Sequence, residues 1–174
     1  MSERDRNVFF FGGRFSDQYF EFSLNPFTVS YEDNHVLGAG YQQFFLGGAN
    51  GPRLGLEAGT SLRFGNQTSG ELWGGLVGRY DGLFVTDAIR FSAAITVGLS
   101  VTTGTIGIER DREVEMGGDS SLLYYLGPEL SLAPTDNPNL ELFWRIHHRS
   151  GGWETLGDMR DGANATALGV RVSF

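Results

Sequence analysis

The sequence has no cysteine, no lysine and no long apolar run. Without cysteine it can form neither a disulfide framework nor a thiolate metal site, which leaves the redox compartment open. No segment approaches the roughly 18 consecutive apolar residues of a spanning helix, so any membrane crossing must be made by β-strands. All 13 basic residues are arginine, which is compatible with buried ion pairs.

The balance of charge limits the class of partner. The formal net charge is −8, which argues against nucleic acid, because a phosphate backbone requires a basic surface. No residue pattern indicates a metal or a cofactor, and we expect neither. The 174 residues suit one domain, and glycine, at 26 residues, has about twice its usual share.

Residues 1–6 are polar and carry no apolar export core. We expect this segment to be flexible. Its composition fits either a mature form with an added Met1 or a cytoplasmic protein, and we favour the mature form.

Turn-forming clusters divide the chain into eight segments in which side-chain character alternates, as in half-buried strands. The third segment is the clearest, with apolar residues from Leu54 to Phe64 at even positions and Gly, Glu, Ser and Arg at odd ones. No helix is expected. The charged run at 109–115 is expected to be a solvated loop, with divalent-cation bridging to lipid phosphates as the alternative. The predicted strands are 7–13, 35–46, 53–64, 71–79, 89–101, 122–132, 140–150 and 164–174.

Alternation alone does not say which face is inside, and a soluble lipocalin-like barrel with an apolar interior is one alternative. Here the less apolar face is mostly small residues with scattered ionisable ones, which suits a narrow lumen better than a water-facing surface. The connections after the first, fifth and seventh segments are long and that after the third is short, while those after the second, fourth and sixth are all below ten residues, a pattern that indicates an outer-membrane barrel. The ionisable residues on this face are Glu57, Arg63, Arg79, Arg90, Glu129, Glu141, Arg145 and Arg171.

The sequence therefore predicts an all-β fold: one eight-stranded antiparallel transmembrane β-barrel of the bacterial outer membrane, spanning residues 1–174. The alternating apolar residues that end at Phe174 also resemble the last strand of such proteins. His147 is expected in the lumen with Glu141, Arg145 and Arg149. Tryptophans gather at membrane interfaces, so Trp73, Trp144 and Trp153 are expected there.

Candidate chemistry lies where the last two strands meet. His148, Ser150 and Asn164 share the face of their apolar even-numbered neighbours, so in a barrel all three look toward lipid at the outer leaflet boundary. A hydroxyl beside an imidazole suits nucleophilic acyl transfer, and Gly151 and Gly152 can offer backbone N–H groups to an oxyanion. For the group that orients the histidine, Asn164 competes with Glu154 and Asp161.

His148-Arg149-Ser150, followed by Asp161-Gly162, resembles the outer-membrane deacylases that remove the 3-O-linked acyl chain of lipid A. That family is an eight-stranded barrel with a His-x-Ser motif near the outer end of the penultimate strand and a Glu early in the last one. The resemblance covers roughly the last 35 residues. Asn164 stands where the Glu is expected, and Gly151 where the family commonly has Asn.

Two hypotheses follow. In the first, the resemblance implies an outer-membrane esterase acting on lipopolysaccharide, with Ser150 as nucleophile, His148 as base and Asn164 as orienting residue. Its partners are lipid A and the lipids of the outer membrane. In the second, the barrel has lost its acid residue and serves a structural or partner-binding role.

Overall fold

The computed structural model describes residues 5–48 and 50–174, which form a closed antiparallel barrel. Each strand pairs with the next along the chain, and β8 closes the barrel against β1. The strands are β1 (Arg6–Ser16), β2 (Tyr31–Gly47), β3 (Gly51–Phe64), β4 (Thr68–Val85), β5 (Ile89–Thr102), β6 (Leu122–Pro134), β7 (Leu140–Ser150) and β8 (Asn164–Ser173). The predicted eight-stranded barrel is confirmed.

In the described part of the chain, two helices lie in the connections between strands. Helix α1 (Phe20–Ser23) follows β1, and α2 (Gly107–Met116) follows β5. Within the described part of the chain, neither is long and apolar enough to cross a membrane.

Long connections gather at one end of the barrel, which we call the loop end. Residues 17–30, 103–121 and 151–163 join strands there, together with the short turn at 65–67. At the opposite end, the turn end, short connections at 86–88 and 135–139 join β4 to β5 and β6 to β7, and β2 is followed by β3. This asymmetry is that of outer-membrane barrels, whose long loops face the cell exterior.

The outer surface of the barrel is aliphatic because side chains alternate along each strand. Leu142 on β7 is 63% exposed and Leu168 on β8 is 68% exposed, whereas Arg145 and Arg171 on the opposite face are fully buried. The predicted orientation, with aliphatic faces outward and ionisable residues in the lumen, is therefore confirmed.

Ion pairs fill the turn-end half of the lumen. Arg145 contacts Glu57 and Glu129, each at 2.8 Å. Arg171 reaches the carboxylates of Glu129 at 2.7 Å and Glu141 at 3.0 Å. Each arginine lies at hydrogen-bond distance from carboxylates, and the attraction between them compensates the free-energy cost of removing the charges from water.

Aromatic rings fill the space beside these charges. Phe9, Phe11, Tyr125 and Trp73 are all buried, and the indole of Trp73 donates a 3.0 Å hydrogen bond to Glu57. The prediction that Trp73 lies at a membrane interface is therefore wrong. Trp73 sits at an odd position of β4, which faces the lumen, and Gly59 opposite leaves room for its ring.

The expectation of no helix, and of a solvated loop at 109–115, is also wrong. Glu109 on α2 is fully buried and pairs with Arg63 and Arg149 at the loop end of the lumen. These two lumen arginines require a carboxylate, and α2 supplies it. The helix ends at Gly117, whose left-handed φ of 67° permits the cap in which its N–H bonds Glu113 O.

Strand bounds differ from the predicted ones mainly at β4, which continues to Val85 through an irregularity between Tyr80 and Phe84. Residues 1–4 of the segment expected to be flexible lie outside the described residues. Arg6 already belongs to β1.

A pair of substitutions tests whether the outward face of β8 crosses the hydrocarbon layer of a membrane. Leu168→Arg, near the middle of β8, should lower the free energy of unfolding by about 2–4 kcal/mol in a bilayer, while Val172→Arg, near the turn end, should cost about 0–1 kcal/mol. Urea unfolding in phospholipid vesicles measures both. Equal costs would mean that this face does not cross a hydrocarbon layer.

Candidate functional site

His148 lies near the loop end of β7 and points away from the lumen. Its neighbour His147 points inward, where it contacts Glu71 at 3.0 Å and Tyr125 at 3.2 Å. This confirms that His147 belongs to the lumen network, with Glu71 as its carboxylate partner. On the outside, His148 pairs with Asn164 of β8 in the sheet register. The two side chains therefore stand next to each other on the outward face.

The Asn164 amide fixes the state of the imidazole. Its Oδ1 is hydrogen-bonded to Nδ1 of His148, and its Nδ2 donates to the Gln18 carbonyl at 2.9 Å and to Asp161 Oδ2 at 3.3 Å. Because both partners of Nδ2 are acceptors, the amide cannot turn over without losing bonds. Nδ1 of His148 then carries the proton, which leaves Nε2 with a lone pair to act as a base.

Ser150 is the last residue of β7, two positions beyond His148 on the same face. Its hydroxyl donates to the Arg160 carbonyl at 3.0 Å and accepts from the Gly152 N–H at 3.1 Å. No hydrogen bond joins Ser150 to His148 among the described residues. Activation by the histidine would require rotation of the hydroxyl away from Arg160.

Gly151 and Gly152 shape the turn after Ser150. A Cβ on Gly151 would lie 1.8 Å from the Met159 carbonyl oxygen, so only glycine fits there. Gly152 has φ +60°, and the next two residues, Trp153 and Glu154, also have positive φ. This backbone strain accompanies a turn that brings the Gly152 N–H to 3.1 Å from the Ser150 oxygen.

The three candidates for the orienting group occupy different places. Asn164 bonds His148 directly, and Asp161 lies behind it with Oδ1 at 3.7 Å from His148 Nδ1. Glu154 is exposed in the connection at 151–163, and no contact between it and His148 is found in the described residues. The structure therefore brings together two of the three.

Sequence reasoning missed three residues that complete the surroundings of His148. Phe20 on α1 packs against the imidazole, with ring centroids 4.4 Å apart and an angle of 37° between the ring planes. The Gln18 carbonyl binds Asn164, and Arg112 on α2 contacts Asp161 at 3.2 Å. As a result His148 is only 6% exposed although it lies on the outward face. Of these three residues, Arg112 alone belongs to a pattern noted in the sequence, the charged run at 109–115.

A metal ion has no evident place here. Within residues 5–48 and 50–174, no group of three or more His, Asp or Glu side chains is arranged to hold one.

The closed barrel, its aliphatic exterior and its charged lumen define the class of protein: an eight-stranded β-barrel of the bacterial outer membrane. Comparison of the sequence with protein-family models finds no match, and comparison with curated proteins finds none either.

Solved structures do match. The outer membrane enzyme PagL is similar over 97% of this chain and 99% of its own, with a TM-score of 0.62 and 18% identity. Neisserial surface protein A covers 98% of this chain and 97% of its own, at TM-score 0.58 and 12% identity. The amino-terminal barrel domain of Pseudomonas aeruginosa OprF covers 98% of both, at 0.51 and 12%. These identities establish the shared fold alone.

Proposed function

We propose that the chain is an outer-membrane esterase that removes an ester-linked acyl chain from lipid A. The observation that carries the proposal is the hydrogen bond from His148 Nδ1 to Asn164 Oδ1, on the outward face at the loop end. It holds an imidazole with a free Nε2 two residues from the Ser150 hydroxyl. The resemblance to lipid A deacylases in His148-Arg149-Ser150 and the fold shared with an outer-membrane enzyme support the same reading.

The reaction would proceed by acyl transfer. Ser150 Oγ attacks the ester carbonyl carbon while His148 Nε2 takes its proton, and N–H groups of Gly151 and Gly152 stabilise the resulting oxyanion. The intermediate collapses by breaking the bond to the sugar oxygen, which leaves as a hydroxyl with the proton from His148. A water molecule, deprotonated by His148, then attacks the acyl carbon. The bond from this carbon to Ser150 Oγ breaks, His148 gives its proton to Oγ, and the fatty acid is released.

The position of the site argues for a lipid substrate. Below His148 the outward face of β7 and β8 is apolar, with Trp144, Leu168 and Val170 on it, so an acyl chain can lie along the barrel wall in the hydrocarbon layer. The loop end faces the cell exterior in this class of barrel. The ester would then come from the outer leaflet, whose main lipid in Gram-negative bacteria is lipopolysaccharide.

Mass spectrometry of lipid A before and after incubation with the purified chain in detergent tests the proposal. We expect the loss of one ester-linked acyl chain and the appearance of the matching free fatty acid. Unchanged lipid A, from a sample whose folded barrel is verified by its heat-dependent gel mobility, would contradict it.

A second candidate is a non-catalytic outer-membrane barrel with a structural or partner-binding role. It is favoured by one contact, the Ser150 hydroxyl directed to the Arg160 carbonyl rather than to His148. Asn164→Glu separates the two candidates. Activity that appears only in this variant would identify the chain as a barrel that has lost its catalytic acid.

A further inference from the structure

We infer that Asp161 is a positioning residue that supplies the negative charge of this site and acts on His148 through Asn164. The inference rests on the proposed function, since it assigns a role within that same site. It concerns the acid that the resemblance would place at position 164, where this chain has an amide. The geometry points to a carboxylate three residues earlier in the chain.

Asp161 is buried and only partly satisfied. It is 6% exposed, and its Oδ2 accepts from Asn164 Nδ2 at 3.3 Å and from Arg112 at 3.2 Å. Its Oδ1 is buried, has no hydrogen-bond partner in the described part of the chain, and lies 3.7 Å from His148 Nδ1. A carboxylate oxygen left unpaired in a buried site is costly. A positive charge on His148 would compensate that cost.

Asn164 couples this carboxylate to the imidazole. Asp161 and the Gln18 carbonyl hold the amide nitrogen, so the amide oxygen faces His148 and binds the proton on Nδ1. When His148 takes the proton of Ser150, the imidazolium faces the unpaired Asp161 oxygen. Phe20 covers the imidazole, so water screens this attraction less than it would at an open surface.

Arg112 keeps Asp161 in place. It donates to the Gly162 carbonyl at 2.8 Å, and its guanidinium lies 4.6 Å from the centre of the Tyr19 ring. Arg112 thus joins the connection at 103–121 to Asp161 in the connection at 151–163, and to Tyr19 in the connection at 17–30. These contacts hold the Asp161 side chain in a more fixed position than that of an exposed loop residue.

Asp161→Asn tests the inference, with Asp158→Asn as its matched control in the same connection, where the side chain is exposed. We expect Asp161→Asn to lower kcat for lipid A hydrolysis by about 10- to 100-fold, as for loss of a hydrogen bond to a charged group, with KM little changed. Asp158→Asn should match the parent. The exchange variant Asp161→Asn/Asn164→Asp returns a carboxylate to His148 and should recover part of the loss.

The ¹⁵N chemical shifts of His148 in detergent micelles give a readout that does not depend on activity. The parent should show the proton on Nδ1, and Asp161→Asn should show a larger share of the Nε2–H tautomer, because the Gln18 carbonyl then holds the Asn164 amide nitrogen without the help of a carboxylate. Comparison with the spectrum of His148→Ala assigns the signals.

Unchanged tautomer and unchanged kcat in folded Asp161→Asn would overturn the inference, as would equal losses in Asp161→Asn and Asp158→Asn. If the parent hydrolyses no lipid A, the proposed function fails, while the tautomer comparison still decides whether Asp161 positions His148. If Asp161→Asn does not fold, the exchange variant replaces it in the test. We then expect the exchange variant to carry a proton on Nδ1 of His148 and to keep at least about a tenth of the parental activity. An exchange variant with neither would overturn the inference.

Discussion

Ser150→Ala is expected to reduce lipid A hydrolysis at least about 1000-fold. The serine oxygen forms the bond to the acyl carbon, so its removal leaves no nucleophile that His148 can activate, and losses of this size follow removal of a nucleophile from a serine–histidine pair. The barrel should remain folded, since within residues 5–48 and 50–174 the hydroxyl forms hydrogen bonds with just the Arg160 carbonyl and the Gly152 N–H. Release of free fatty acid over time measures the rate.

Ser121→Ala is a suitable control for this substitution. Ser121 is an exposed serine in another connection of the loop end, so the same atom is removed there without touching the site. Its rate should equal that of the parent. A Ser150→Ala protein that hydrolyses lipid A as fast as Ser121→Ala would rule out the serine mechanism.

A fluorophosphonate with an alkyl chain tests the same step without lipid A. It should modify Ser150 in the parent, because an activated serine attacks phosphorus as it attacks an ester carbonyl. A mass increase on the peptide that contains Ser150, absent in Ser150→Ala and in His148→Ala, is the expected result. Modification that persists in His148→Ala would mean that the histidine does not activate the hydroxyl.

The barrel could be predicted from sequence because its main signal is local. Side-chain parity along a strand decides the face, so Leu168 outside and Arg171 inside follow from positions alone, as does the common face of His148, Ser150 and Asn164. Trp73 escaped prediction because residue type was given more weight than its odd position in β4.

What the sequence could not predict are contacts between segments far apart along the chain. The Gln18 carbonyl and the Asn164 amide that bind each other are separated by 146 residues. Arg112 approaches Asp161 only because α2 folds over the lumen, where Glu109 pairs with two arginines. The choice between Asn164 and Asp161 therefore appeared as an alternative in sequence, whereas in three dimensions both residues belong to one hydrogen-bonded chain.

Arg145→Met is expected to lower the free energy of unfolding by about 3–5 kcal/mol, the range for breaking a buried ion pair by removing one partner. Arg145 is fully buried and its guanidinium contacts Glu57 and Glu129, each at 2.8 Å. Methionine fills much of the same volume but leaves Glu57 without its arginine in a lumen walled by aromatic rings. Urea unfolding in phospholipid vesicles measures the loss.

The control is Arg14→Met, which makes the same change in an exposed pair. Arg14 and Asp33 are 2.8 Å apart, but their side chains are 45% and 90% exposed, so the cost should stay below about 1 kcal/mol. Adding Glu57→Gln to Arg145→Met removes the stranded charge and should recover part of the stability, while Glu129 keeps Arg171 as its partner. Equal costs for the two arginines, or no recovery in the double variant, would mean that water entering the lumen screens its charges, and that the lumen ion pairs add little to the stability of the barrel.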